Sequence, residues 1–339
     1  MAKKTIEVAG PFFEDFEHEQ LMEQAPSLTI SSGYAVMYQS LFGDRLRLPL
    51  DRELCKKILG SEATLVNPHL LYNLVTGQTT YASQNVKGNL FYRGLVFKKP
   101  VFIGDTLNTN TKVRALRQNR HKEGRPATGM VVLEIQVVNQ FQEEVMFFWR
   151  CPMIPCRDPN ADTGHADSFD SIPSEINLEA VKKMIPSHWK LDRFQQDCSG
   201  DHFAQIAEET IYKIAARDTV TSAPELVRMT LNMATTHTDA GASTYKRRLV
   251  YGGHTISVAA AQIVRALPNT VTVMAWKACS HTAPVFEGDI LRTEMSVGKK
   301  HALEKNGGLV ELHAEVYANR EEETDEVKVL DWELIVLMA

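Results

Sequence analysis

The side chains best suited to acid–base chemistry stand close together in the second half of the chain. Asn232 and His237 are five positions apart, and Asp239 lies two positions further on. Side chains five apart do not stack on one regular helix, so the spacing predicts a helix end that runs into a loop. Histidine titrates near neutral pH, which makes His237 a candidate general base, with a structural histidine as the alternative. Asp239 is more simply a helix cap.

Two adjacent glycines, Gly252 and Gly253, precede a small-residue, apolar stretch at residues 255–267. This stretch predicts a buried helix, which Pro268 would end. Glycines at a helix start leave backbone N–H groups uncovered. Together with the positive end of the helix dipole, these groups can stabilise a carbonyl oxygen that gains negative charge. The simpler interpretation of the two glycines is a tight turn.

An internal repeat indicates which elements position these residues. Residues 100–107 (PVFIGDTL) match residues 284–291 (PVFEGDIL), an offset of 284 − 100 = 184. Each copy continues with an alternating stretch and closes on an apolar strand: residues 129–138 and 145–154 in the first copy, 308–317 and 327–337 in the second. Helical sequence precedes the strands in both copies. We therefore predict an α+β fold in which each copy wraps an antiparallel sheet around a buried helix.

The segment between the copies is rich in Asp, Pro, Gly and Ser over residues 157–173, which predicts a linker with little structure of its own. We place an N-terminal domain at residues 1–156, the linker at residues 157–200 and a C-terminal, catalytic domain at residues 201–339.

Composition excludes several classes of protein. A formal net charge of −5 over 339 residues argues against a general nucleic-acid binder, and no apolar run is long enough to span a bilayer. Dinucleotide, Walker, nucleophile-elbow and zincin motifs are absent, and the first residues lack the apolar core of a signal peptide. The cysteines have no metal or redox spacing and predict free thiols in the cytoplasm; they are Cys55, Cys151, Cys156, Cys198 and Cys279.

The chain resembles the MaoC-type (R)-specific enoyl-CoA hydratases, whose motif Asp-x-Asn-Pro-x-His precedes a segment like Val-His-Gly-Met. Residues 250–254 (VYGGH) match that segment, and residues 284–291 match a strand signature of the family. The run RRLVYGGH at residues 247–254 is more specific and resembles the mesaconyl-CoA hydratases, or β-methylmalyl-CoA dehydratases. Supporting matches are residues 37–43, 89–92, 116–119 and 329–332.

This resemblance implies a tandem double hotdog fold, in which a long central helix is wrapped by an antiparallel sheet twice. It also implies reversible addition of water to a 2-enoyl-CoA thioester, branched or dicarboxylic, such as mesaconyl-CoA. The family's Asp falls on Asn232, and only His237 of the motif is retained in the second copy. The first copy keeps Asp44 but has Pro49 in place of the histidine, so we expect it to be non-catalytic and to shape the acyl pocket.

The resemblance implies a role for each site residue. His237 would activate water, Asn232 would hold that water with its amide oxygen, and the N–H of Gly253 would polarise the thioester carbonyl. The expected substrate-binding residues are Gly252, Tyr251, His254, Ser257, Arg247 and Arg248. The two arginines suit CoA phosphates, with a solvated basic turn as the alternative. Candidates for binding a distal carboxylate of the substrate are Arg45, Arg47 and Arg93.

No metal or redox cofactor is expected, because CoA is part of the substrate. The expected partner is a small-molecule acyl-CoA, with neither nucleic acid nor membrane, and the chain is compatible with a homo-oligomer. Two other functions stay open. A hotdog thioesterase would place an acid on the central helix, and residues 255–267 and 70–80 contain none. A non-catalytic acyl-CoA-binding protein is favoured by the missing Asp and opposed by the retained His237.

Overall fold

The computed structural model describes residues 4–6, 8–22, 25–320 and 325–339. Its helices are α1 (Ser32–Phe42), α2 (Arg47–Leu50), α3 (Arg52–Leu59), α4 (Pro68–Gln78), α5 (Leu178–Met184), α6 (Leu191–Asp197), α7 (Ala223–Met229) and α8 (Gly252–Ala266). Its strands are β1 (Leu28–Thr29), β2 (Gly88–Phe97), β3 (Thr106–Gln118), β4 (Thr128–Val138), β5 (Glu144–Pro155), β6 (Ile211–Lys213), β7 (Asp218–Thr219), β8 (Thr270–His281), β9 (Ile290–Ala302), β10 (Gly308–Asn319) and β11 (Val327–Met338).

The two central helices, α4 and α8, are buried along most of their length. Helix α4 begins after Asn67, whose side chain accepts hydrogen bonds from the first backbone N–H groups of the helix. This N-cap satisfies donors that have no partner within a helix. Helix α8 ends at Ala266, two residues before Pro268, as predicted. It begins at Gly252, three residues before the predicted apolar stretch, so both glycines belong to its first turn.

Both copies contribute to a single antiparallel sheet. Strands β2–β5 form one half and β8–β11 the other, and β2 pairs with β8 through Tyr92–Cys279 and Arg93–Ala278. The central helices also meet, since Nδ2 of Asn73 on α4 donates to Oγ of Ser257 on α8 at 2.9 Å. Of the two stretches predicted to alternate, β10 alternates in burial from residue 310 onward, whereas β4 alternates only from residue 133 and is buried on both faces before it. The apolar core lies between helices and sheet. The predicted α+β class is confirmed.

The repeated Gly-Asp pair forms the same turn in both copies. Gly104 and Gly288 have φ values of 106° and 93°, a region that glycine adopts at little cost. The carboxylates of Asp105 and Asp289 each accept a hydrogen bond from the backbone N–H three residues earlier, at 2.7 and 3.0 Å. The repeat signature therefore encodes the turn that leads into β3 or β9.

The connection between the copies is largely irregular up to residue 177, as its composition predicts, and then contains α5 and α6. It is docked rather than free, because Phe169 and Ile172 are buried against the sheet and Phe194 is fully buried on α6. The domain boundaries remain predictions.

All five cysteines are unpaired and buried. In the part of the chain that the structure describes, every helix is too short or too polar to cross a bilayer.

Candidate functional site

A cavity of about 230 Å³ lies between the two copies. The second copy lines it with Asn232, His237, Tyr251, Gly252, Thr255 and His281, among others. The first copy lines it with residues from the end of α4, from the 3₁₀ turn Thr80–Ser83 that follows it, and from β2 and β5, including Thr76, Thr80, Ser83, Tyr92 and Arg150. Sites for drug-sized ligands typically span about 300–1,000 Å³. This cavity is smaller than that range, so it fits a small acyl group, and a nucleotide attached to that group must lie outside it.

His237 is the last residue of a short 3₁₀ turn, Thr235–His237, in the loop that follows α7. Its Nδ1 donates to the carbonyl oxygen of Leu249 at 2.7 Å, which leaves Nε2 unprotonated and able to accept a proton. Burial lowers the pKa of His237 to about 4, and the positive charge of Arg150 acts in the same direction, against the opposing hydrogen bond to Leu249. The imidazole is therefore neutral at pH 7 and can act as a base.

Asn232 is almost fully buried at the cavity wall. Its Oδ1 accepts a hydrogen bond from the backbone N–H of Ala234 at 2.9 Å. In the first copy, Oδ1 of Asp44 accepts from the N–H of Leu46 at the same distance. The two side chains thus stabilise equivalent turns, and the exchange of Asp for Asn preserves that turn. One lone pair of the Asn232 oxygen and its amide N–H groups remain for a ligand, since the described residues provide the amide nitrogen with no hydrogen-bond partner.

The expectation that Asp239 caps a helix is wrong. Its Oδ1 instead accepts from the backbone N–H of Gly241 at 2.7 Å in an exposed turn, and no described helix begins there.

The two glycines at the start of α8 face different neighbours, and neither forms the tight turn considered above. A side chain at Gly252 would overlap the imidazole of His281, whereas one at Gly253 would overlap Oδ1 of Asn73 on α4. Gly252 therefore lines the cavity, and Gly253 allows the two central helices to approach. The N–H groups of the first helical turn have no partner within the helix, so they form the electropositive end that the sequence predicts.

Of the other residues predicted to bind substrate, Tyr251 lines the cavity, with its ring 5.6 Å from that of His237. His254 and Ser257 do not line it. Nε2 of His254 donates to the carbonyl of Thr221 at 2.8 Å. Oγ of Ser257 donates to the carbonyl one turn earlier at 2.7 Å. Positions 252 and 255 of α8 face the cavity, so positions 254 and 257 lie on other faces of the helix.

Arg247 and Arg248 also lie outside the cavity lining and are exposed. The guanidinium of Arg247 stands 3.9 Å over the ring of Phe286. Arg248 donates to the carboxylate of Glu287 at 2.6 Å. A role in binding phosphate and a solvated basic turn both stay open for this pair.

His281, at the end of β8, is a cavity residue that the sequence analysis missed. Its Nε2 is buried and has no hydrogen-bond partner among the described residues. Burial, assisted by nearby His237, lowers its pKa to about 4, so it is also neutral at pH 7. At the repeat offset of 184, His281 corresponds to Phe97 of the first copy (281 − 184 = 97). This exchange of an apolar for a polar side chain was the signal that could have identified His281.

Arg150, on β5, is the second missed residue. It is 3% exposed, it is flanked on β5 by apolar residues from Val145 to Pro155, and it lines the cavity. The three arginines predicted to bind a distal carboxylate lie elsewhere: Arg93 donates to the carbonyl of Ile172, Arg47 donates to Asn269, and Arg45 lines a separate surface groove. The prediction that one of those three faces the acyl group is not supported by this geometry.

The corresponding place in the first copy is nearly closed. A cavity of about 30 Å³ lies among Asp44, Pro49 and Asn67, with no histidine in its lining. This volume is about that of a single water molecule in the liquid, so an acyl group does not fit there.

A group of potential metal ligands lies on β10 and β11, outside the cavity lining. Among the described residues, ligand atoms of His313, Glu315 and Asp331 lie within 4.8 Å of one another. Lys328 forms ion pairs with both carboxylates, so one of their two negative charges is already compensated.

No family model matches the chain, but two curated proteins are similar to it. β-Methylmalyl-CoA dehydratase of Chloroflexus aurantiacus is 31% identical over 352 aligned positions, covering 97% of this chain and 97% of that protein. Mesaconyl-CoA hydratase of Cereibacter sphaeroides is 30% identical over 289 aligned positions, covering 84% of this chain and 82% of that protein.

Solved structures with the same architecture are also found. A conserved hypothetical protein of Mycobacterium tuberculosis with a double hotdog fold superposes with a TM-score of 0.91 at 39% identity, covering 98% of this chain and 100% of that chain. A putative MaoC domain protein dehydratase from Chloroflexus aurantiacus has a TM-score of 0.82 at 28% identity, with 97% of each chain covered. These structures confirm the predicted tandem double hotdog fold.

Proposed function

Because this chain belongs to the family of the mesaconyl-CoA hydratases and β-methylmalyl-CoA dehydratases, within the MaoC-like double hotdog proteins, we propose that it is a hydro-lyase. It adds water reversibly to a small 2-enoyl-CoA thioester of the branched, dicarboxylic kind named for its relatives. The observation that supports this function best is His237, a neutral histidine with an available Nε2, in a cavity of acyl-group size beside the start of α8.

The start of α8 is the proposed binding site for the thioester carbonyl. Its first-turn N–H groups, at Gly252 and Gly253, and the helix dipole attract an oxygen that gains negative charge. Polarisation of this carbonyl makes the β-carbon electrophilic and stabilises the enolate-like transition state. Because Gly252 lines the cavity, we place its N–H nearest the carbonyl and assign Gly253 a supporting role.

His237 is the proposed general base. Its Nε2 takes a proton from water as the water oxygen adds to the β-carbon, and the resulting imidazolium returns a proton to the α-carbon. The sum of the two steps is H and OH added across the C=C bond. Asn232 helps to hold the water, and His281 presents a second neutral imidazole to the cavity.

The first copy supplies the acyl pocket in this proposal. Thr76, Thr80 and Tyr92 line the cavity opposite His237, while the small cavity of the first copy has no base. A thioesterase is less well supported, because none of the cavity-lining residues is Asp or Glu.

The deciding experiment is incubation of the purified protein with mesaconyl-CoA, with the absorbance of the conjugated thioester and the release of free thiol followed together. Hydration lowers the absorbance without releasing thiol. Release of thiol would instead identify a thioesterase. If neither the absorbance nor the free thiol changes with any of a panel of enoyl-CoA thioesters, the protein is a non-catalytic acyl-CoA-binding protein.

A further inference from the structure

The most unusual charged group in the structure is the guanidinium of Arg150. It is 3% exposed, and no carboxylate of the described residues lies within 4.0 Å of it. Its hydrogen-bond partners are hydroxyl groups only: Nη1 donates to Oγ1 of Thr79 at 2.6 Å and Nη2 to Oγ of Ser83 at 2.7 Å. Nε is buried and has no hydrogen-bond partner among the described residues.

A buried charge of this kind is costly unless an opposite charge compensates for it. The positive charge of an arginine guanidinium is permanent in proteins. The two imidazoles of the same cavity, His237 and His281, are neutral at pH 7 and supply no negative charge. The cavity wall therefore carries a positive charge that no carboxylate of the described residues compensates within 4.0 Å.

The geometry of Arg150 leaves donors for a ligand. A guanidinium has five N–H groups, and the two hydroxyls use two of them, which leaves one N–H on each of Nη1 and Nη2 besides that of the buried Nε. The hydroxyl of Thr79 is itself fixed, because it donates to the carbonyl of Thr76 at 2.7 Å. The planar guanidinium of Arg150 is thus held in place and still has N–H donors available. Such a group matches the geometry of a carboxylate.

We infer that Arg150 binds the distal carboxylate of a dicarboxylic acyl group and thereby selects dicarboxylic over monocarboxylic acyl-CoA thioesters. This inference rests on the proposed function for the position of the thioester end. Arg150 and the catalytic candidate His237 line the same cavity from opposite copies of the repeat. One small acyl group can therefore reach both residues.

The test compares two unreactive ligands that differ only at the distal end: 2-methylsuccinyl-CoA has a carboxylate where 2-methylbutyryl-CoA has a methyl group. Calorimetry would give the dissociation constant of each for the wild type, Arg150→Gln, Arg150→Lys and the control Arg93→Gln. Arg93 lies on the neighbouring strand β2 and does not line the cavity.

The wild type and Arg93→Gln are expected to prefer the dicarboxylic ligand by about 10–100-fold, the usual effect of hydrogen bonds to charged groups. Arg150→Gln is expected to abolish this preference and to leave binding of 2-methylbutyryl-CoA unchanged. If that variant does not fold, Arg150→Lys, which lacks the planar fork, is expected to lower the preference by about tenfold. No preference in the wild type overturns the inference. A preference that survives in both variants also overturns it and would point to Lys87, another cation of the cavity lining.

Turnover distinguishes this inference from the proposed function. A wild type that prefers 2-methylsuccinyl-CoA through Arg150 but does not hydrate mesaconyl-CoA would refute the function and leave the carboxylate site standing. A wild type that hydrates mesaconyl-CoA and the methyl analogue 2-methylcrotonyl-CoA with equal kcat/KM would refute the carboxylate site and leave the hydratase function standing.

Discussion

The side chain of His237 is oriented by a backbone carbonyl rather than by a carboxylate. Its Nδ1 donates to the carbonyl of Leu249, so the ring is held as the tautomer with an unprotonated Nε2. A carboxylate partner would raise the pKa of the imidazole, whereas burial and the charge of Arg150 lower it. The site therefore contains a weak base that is unprotonated at pH 7.

Replacement of His237 by alanine is expected to lower hydration turnover by about 10²–10⁴-fold, the usual loss for an acid–base group. The measurement is kcat for mesaconyl-CoA, with the thermal midpoint as a check on folding. His254→Ala is the matched control, because that histidine is buried on α8 outside the cavity lining. Unchanged turnover in folded His237→Ala would remove this residue from the mechanism.

Asn232→Asp is expected to remain active, because a carboxylate can accept the same hydrogen bond from Ala234, as Asp44 does from Leu46 in the first copy. The pH profile should change. In the wild type, kcat/KM has its full value above the pKa of His237. It falls as the pH drops through about 4, because the imidazole becomes protonated and can no longer act as a base. A negative charge nearby raises that pKa, so the loss should begin at higher pH in the variant.

The measurement is kcat/KM for mesaconyl-CoA from pH 4 to pH 8. Complete inactivity of a folded Asn232→Asp protein would show that the amide has a role that a carboxylate cannot fill. An unshifted acid limb would mean that His237 does not control the profile.

Among the elements, the first turn of α8 performs two separate tasks at adjacent positions. Gly252→Ala inserts a methyl group where the imidazole of His281 packs, and Gly253→Ala inserts one where Asn73 of α4 packs. We expect the first variant to lose activity with little change in thermal midpoint, because the displaced group lies at the cavity. The second is expected to be destabilised, because it separates two packed helices; such overpacking costs about 1–3 kcal/mol.

Turnover and thermal unfolding of both variants check this prediction. Asn73→Ala should restore part of the lost stability to Gly253→Ala, because the added methyl group also overlaps the ring of Tyr251. Equal losses of stability in the two glycine variants would contradict the division of tasks.

Local patterns predicted the elements well and their orientation less well. The buried helices, the alternating strands and the repeat depend on periodicity within short segments, and the structure has them where the sequence indicates. The faces of α8 were not predictable in this way, because packing against α4 determines that His254 and Ser257 turn away from the cavity. Arg150 and His281 were missed since only the pairing of β2 with β8 brings the two copies together around one cavity.

At the scale of the whole molecule, the two copies are expected to provide one ligand site per chain. The first copy offers about 30 Å³ where the second offers about 230 Å³, and Pro49 stands where His237 would be needed. Calorimetric titration with 2-methylsuccinyl-CoA should therefore give a stoichiometry of one. His237→Ala should keep that value, since the histidine acts on water rather than on the acyl group. Two equivalents bound per chain would contradict a closed first site.

The strands of both copies belong to one chain, which affects how the two halves of the sheet can change in sequence. Arg150 and Leu334 occupy matching positions, because they lie 334 − 150 = 184 residues apart and pair across the sheet with Tyr92 and Trp276, which have the same offset. In a symmetric pair of identical subunits, one codon would specify both positions, and a guanidinium at the cavity would be repeated in the other core. Here Leu334 is 2% exposed and belongs to the apolar core. Because both copies lie in one chain, each position has its own codon, and a change in one half is not imposed on the other.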